Sequence, residues 1–122
     1  MRRCRLPAIT AFVAAVVFSL TAMAEGPGRY TVTGTSTKDK TNYQGTATVT
    51  KTGNSIWHIV ETIGDNTLEG FGVGDGKVIA VSYSADTGTT LALYIANSDG
   101  SYTGIWADED DQDVNTETLK PQ

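Results

Sequence analysis

The sequence predicts an all-β protein: an antiparallel up-and-down meander of about eight strands, closed or nearly closed into a small barrel. Three observations lead there. Short runs rich in Thr, Val, Ile and Tyr, alternating in polarity, recur roughly every ten residues. Gly, Asn and Asp separate them, and these residues tolerate the backbone angles of tight turns. No helical period appears after residue 25, and no connection is long enough to cross over between parallel strands. Consecutive strands on short turns pair with their neighbours, and closure removes the two exposed edges, which favours a barrel over a sandwich.

The first run is Tyr30 to Ser36, with Tyr30 and Val32 facing opposite to Thr31, Thr33 and Thr35. The second, Tyr43 to Thr52, sets Ala47 and Val49 against Thr46, Thr48 and Thr50. Gly53-Asn54 turns into the third, Ser55 to Ile63. There Trp57, Ile59, Glu61 and Ile63 share one face, and Ile56, His58, Val60 and Thr62 the other. Gly64-Asp65-Asn66 leads to the fourth, Thr67 to Val73, and Gly74-Asp75-Gly76-Lys77 forms a strong hairpin signal before the fifth. The fifth, Val78 to Ser84, is apolar on both faces and is expected to be covered on both. A loop at Ala85 to Gly88 precedes the sixth, Thr89 to Ala96, and Asn97-Ser98-Asp99-Gly100 turns into the seventh, Ser101 to Ala107. An acidic loop leads to the last, Val114 to Leu119. Gly34, Gly45, Gly70, Gly72 and Gly104 lie inside these runs, where a missing side chain lets a sheet coil or admit a large ring from a neighbour.

Ahead of the runs, Arg2, Arg3 and Arg5 open a basic stretch, Ile9 to Leu20 is apolar, and Ala22-Met23-Ala24 gives a small-x-small cleavage signature. Residues 1–24 therefore read as a secretory signal peptide, and residues 25–122 as a single β-barrel domain that is exported, periplasmic or extracellular. The apolar stretch is too short to span a bilayer, so no membrane span is expected after cleavage. The one cysteine, Cys4, falls in the signal, which leaves the mature domain without disulfide or thiolate chemistry.

The chain carries nine basic and fourteen acidic residues. Losing the three arginines leaves six against fourteen, a mature net charge of −8. Nucleic acid and anionic lipid both require clustered Lys or Arg and are excluded as partners on this ground.

Few residues suggest chemistry. Glu61 and Glu117 alternate onto the apolar inner face, where a carboxyl needs a hydrogen-bonding partner or takes a raised pKa. With Trp57, Tyr102 and Trp106 they form the candidate ligand-binding set, against the alternative that each is a satisfied structural anchor in an interior filled by Tyr30, Tyr43, Trp57, Tyr83, Tyr102 and Trp106. His58 is the only histidine and lies on the outer face. No G-x-S-x-G turn and no second histidine exist for a catalytic relay or a zinc site. Asp108-Glu109-Asp110-Asp111-Gln112-Asp113 lacks the spacing of an EF-hand and reads as a solvated hairpin tip. The expectation is a protein without catalytic residues, cofactor or bound metal.

Gly28-Arg29-Tyr30-Thr31-Val32-Thr33-Gly34, Tyr43-Gln44-Gly45-Thr46, Glu69-Gly70-Phe71-Gly72, Val78-Ile79-Ala80-Val81-Ser82-Tyr83, Gly104-Ile105-Trp106 and Thr116-Glu117-Thr118-Leu119 follow one another in an order that resembles a family of small secreted Gram-negative bacterial proteins labelled fibronectin-binding proteins. The resemblance covers nearly all of the mature chain. It departs from the family pattern at Glu61, where an aromatic is common, and at the acidic loop. It implies a secreted or periplasmic barrel that binds a protein partner through its surface, a fibronectin-like matrix glycoprotein. Two other readings stand beside it: a lipocalin- or avidin-like barrel holding a small molecule, and an inhibitor of a basic envelope hydrolase such as lysozyme.

Overall fold

In a computed structural model the chain forms eight antiparallel strands in a closed up-and-down barrel. The structure describes residues 26–85 and 88–122; the expected signal peptide, residues 1–24, and residues 86–87 of the loop after the fifth run lie outside them. The strands are β1 (Gly28–Ser36), β2 (Thr41–Gly53), β3 (Ile56–Ile63), β4 (Asn66–Gly74), β5 (Val78–Ala85), β6 (Gly88–Ala96), β7 (Tyr102–Asp108) and β8 (Asn115–Pro121). Each pairs with its sequence neighbours, and β1 closes the cylinder on β8 through Tyr30↔Pro121 to Thr35↔Thr116. No edge is left for another chain to extend.

Tight turns make the meander possible. Between β3 and β4 only Gly64 and Asp65 remain, and Gly64 takes φ +61°, a left-handed angle that costs glycine nothing. Asp75 Oδ1 accepts the Lys77 and Val78 amides at 2.9 and 3.1 Å, which fixes the β4–β5 turn. A register shift between Lys51 and Gly53 kinks the long β2 as it enters its hairpin with β3.

Alternation sorts the side chains as the sequence predicts. Tyr30, Val32, Ala47, Val49, Trp57, Ile59, Ile79, Val81, Tyr83, Tyr94, Tyr102 and Leu119 are buried inside, with Glu61 and Glu117 among them. The strand glycines admit rings. Tyr43 pairs across from Gly34, Tyr83 from Gly70 and Tyr94 from Gly104, and in each pair the ring occupies the space of the absent side chain. A Cβ at position 104 would stand 2.7 Å from the Tyr94 ring.

β5 departs from expectation. Its inner residues Ile79, Val81 and Tyr83 are buried, but Val78 and Ala80 are exposed on the outer wall. The apolar outer face identified in the sequence is real, but no other layer of this single-walled barrel packs over it.

Candidate functional site

The polar interior gathers at one end of the lumen, and glycines set its shape. Around one level of the barrel the cross-strand pairs run Tyr94–Gly104–Glu117–Gly34–Tyr43, from β6 through β7, β8 and β1 to β2. Glu117 is thus flanked on both sides by glycine, and the two tyrosines lie across those gaps to reach it. Tyr43 donates to Glu117 Oε1 and Tyr94 to Glu117 Oε2, both at 2.7 Å. Tyr83 and Tyr94 share a hydroxyl–hydroxyl bond of 2.8 Å, and their oxygens lie 3.1 and 3.3 Å from Glu61 Oε2. Trp106 Nε1 donates to the Tyr43 hydroxyl at 2.8 Å, with the two rings edge to face. One continuous hydrogen-bonded chain therefore runs from half-buried Trp106 to Glu61, which is only 2% exposed.

Burial dominates the electrostatics here. It pushes the Glu61 carboxyl up from its ordinary 4.5 to about 9, helped by a hydrogen bond to Glu117 and by the charge of that neighbour. Glu61 is therefore a neutral acid at pH 7. Burial likewise raises the phenols of Tyr43, Tyr83 and Tyr94 above their ordinary value of 10.0, so all three stay protonated as donors. The cluster can therefore hold a proton at Glu61. Among the described residues, no three His, Cys, Asp or Glu side chains converge on a point that could hold a metal ion.

Of the five residues expected to form a ligand site, Glu61, Glu117 and Trp106 come together, while Trp57 and Tyr102 sit at the opposite end. There Trp57 Nε1 donates to the Gly74 carbonyl at 3.0 Å, Tyr102 to the Gly76 carbonyl at 2.6 Å, and Tyr30 to the Gly26 carbonyl. The Trp57 ring lies beside Gly26 and Gly76, with Lys51 Nζ 5.6 Å from its centroid. These rings and glycine segments plug that end. Sequence reasoning placed Tyr43 and Tyr83 only as filling and did not single out Tyr94. The signal was present: counting outward from the Asn97–Gly100 turn sets Tyr94 opposite Gly104.

The outer wall has two unlike halves. On β8, β1 and β2 it carries Thr116 and Thr118, Thr31, Thr33 and Thr35, and Thr46, Thr48 and Thr50, with Thr31↔Thr46, Thr33↔Thr118 and Thr35↔Thr116 paired across strands. A groove of about 270 Å³ lies over Gly34 between the threonines of β1 and β8 and Asn42 and Gln44 of β2, with Tyr43 and Glu117 also lining it. On β4 to β7 the middle of the wall is apolar, with Phe71, Val73, Leu91, Ile95 and Ile105 exposed and Glu69 and Thr103 beside them. His58 is on the outside, as expected, 3.7 Å from Glu69. The acidic loop folds on itself: Asp111 Oδ2 accepts the Asp108 amide at 2.9 Å and the amide of buried Asn115 at 3.0 Å.

Fold and interior define a small closed barrel whose lumen is filled by its own side chains and whose two wall halves differ in chemistry. The chain matches no protein-family model, and no curated protein shows significant similarity to it.

Proposed function

We propose that this is an exported, non-enzymatic binding protein that meets its partner with its outer wall, the partner being a matrix-type glycoprotein of the fibronectin kind. The observation that carries this reading is the filled lumen. Tyr43, Tyr83 and Tyr94 close over Glu61 and Glu117 at one end, and Trp57, Tyr30 and Tyr102 close the other. A resident small molecule would have to displace rings that are already hydrogen-bonded. The threonine-rich half supports contact with a glycoprotein, because its hydroxyls and the amides of Asn42 and Gln44 both donate and accept and so suit sugar hydroxyls and peptide groups. The ordered motifs that resemble fibronectin-binding proteins point the same way.

The test is binding of the exported protein to immobilised fibronectin at physiological salt. Binding is expected, and Thr33→Arg with Thr118→Arg should weaken it at least tenfold without changing the circular dichroism spectrum. No binding above that of an unrelated acidic barrel would remove the fibronectin reading. Binding that survives both substitutions would move the contact to another face.

A further inference from the structure

We propose that the apolar half of the wall is covered by a second copy of this chain, making the protein a two-fold dimer joined through β4 to β7. Phe71, Leu91 and Val114 are 59%, 64% and 53% exposed, and Val73, Ile95 and Ile105 lie between 41% and 50%. All of these but Ile95 border a groove of about 490 Å³ on the outer wall. At roughly 100 Å² exposed per half-exposed large apolar side chain, seven of them, Val78 included, present on the order of 700 Å². A single monomer's largest apolar patch is usually about 300–600 Å², and a stable interface covers about 800 Å² on each partner. The patch is therefore at the upper end of what a lone soluble protein leaves bare, and it approaches what one side of a dimer requires.

The face is uncharged. The domain expected after export has a net charge of −8, yet Phe71 and Val73 on β4, Val78 to Ser82 on β5, Leu91 to Ile95 on β6, and Ile105 to Ala107 on β7 include no charged residue. A basic partner would gain nothing from this face. A second copy can meet it through apolar contact alone, with Glu69 of β4 and Asp108 of β7 left at its margin. The face also pairs a groove with protruding Phe71 and Leu91, the two complementary parts that an isologous contact needs from one surface. Because β1, β2 and β8 complete the far side of the barrel, dimerisation leaves both threonine-rich faces uncovered, and the assembly becomes bivalent.

The experiment is sedimentation equilibrium on protein expressed from the full sequence and purified after export, with no partner added. Its outcome is therefore independent of the fibronectin reading. The expected mass is that of two chains at micromolar concentration. Leu91→Asp and, separately, Ile105→Lys should each weaken association at least tenfold, while Thr33→Arg on the opposite wall leaves it unchanged. Unchanged circular dichroism spectra would show that both variants fold, since both residues point away from the core. A monomer throughout the micromolar range would overturn the proposal, as would a dimer that survives both substitutions.

Discussion

The two ends of the lumen are closed by the same kind of residue and held in different ways. At the Trp57 end, indole and phenol groups donate to the backbone carbonyls of Gly26, Gly74 and Gly76, acceptors that never titrate. At the Glu61 end, phenols of the same type donate to two carboxyl groups, one of them neutral at pH 7. The contrast shows that filling a small barrel with rings is only half of the problem, because each ring brings a polar head that must be satisfied. Where a loop folds over the opening, backbone serves. Deeper in, side-chain acceptors must be buried, and burial makes one of them, Glu61, keep its proton at pH 7.

The largest expected effect is a pH dependence confined to the Glu61 end. Glu61 holds its proton in the folded state up to about pH 9 but releases it near its ordinary 4.5 when unfolded. Between those values the folded chain binds the extra proton, so stability is greatest at the acid end and falls as pH rises, by at most about 1.4 kcal/mol per pH unit. Glu61→Gln keeps a neutral polar group in place and should match the wild type near pH 4.5, then exceed it by a margin that widens toward pH 9. Urea midpoints measured across that range would show it. Parallel curves for the two proteins would mean that Glu61 is ionised in the fold.

Next in size is the glycine that lets a ring reach Glu117. Gly104→Val places a side chain where the Tyr94 ring lies, and should cost about 3 kcal/mol through overpacking and a displaced phenol. Thermal denaturation reads this directly, and a loss under about 1 kcal/mol would show that Tyr94 can move aside at little cost. Smaller still is Tyr102→Phe at the opposite end. It removes one hydroxyl from the Gly76 carbonyl and should cost about 1 kcal/mol. That loss should be equal at pH 5 and pH 8, unlike anything done to Glu61. The smallest effect belongs to Asp75, whose carboxylate is held below its ordinary 3.8 by the Lys77 and Val78 amides. Asp75→Asn should remove a slight loss of stability that the wild type shows as pH falls below 4, measured by the same urea midpoints.

Much of this was legible in the residues, and what was missed has one cause. The alternation in Ser55 to Ile63 assigned Trp57, Ile59 and Glu61 to the inside, and their exposures of 1–3% agree. The expectation that strand glycines admit neighbouring rings holds at Gly34, Gly70 and Gly104. Alternation reports which face a residue occupies but not its height along the barrel axis. Height follows from the accumulated register of all eight pairings. Trp57 and Tyr102 were therefore grouped with Glu61 although they plug the other end, and Tyr94 was not placed in the interior although it touches both carboxyl groups. The uncovered outer side of β5 has a different origin. A two-sided apolar strand implies burial on both sides, and in this fold one chain supplies only the inner one.

The central claim is that the lumen is occupied by the chain's own side chains, so that binding belongs to the wall. Native mass spectrometry of the protein recovered from its own host, set against the denatured mass, tests it most directly. The account predicts the mass of the polypeptide, or a whole multiple of it, with nothing added. A small, dissociable mass that accompanies the native protein and disappears on denaturation would contradict it and return the function to the interior.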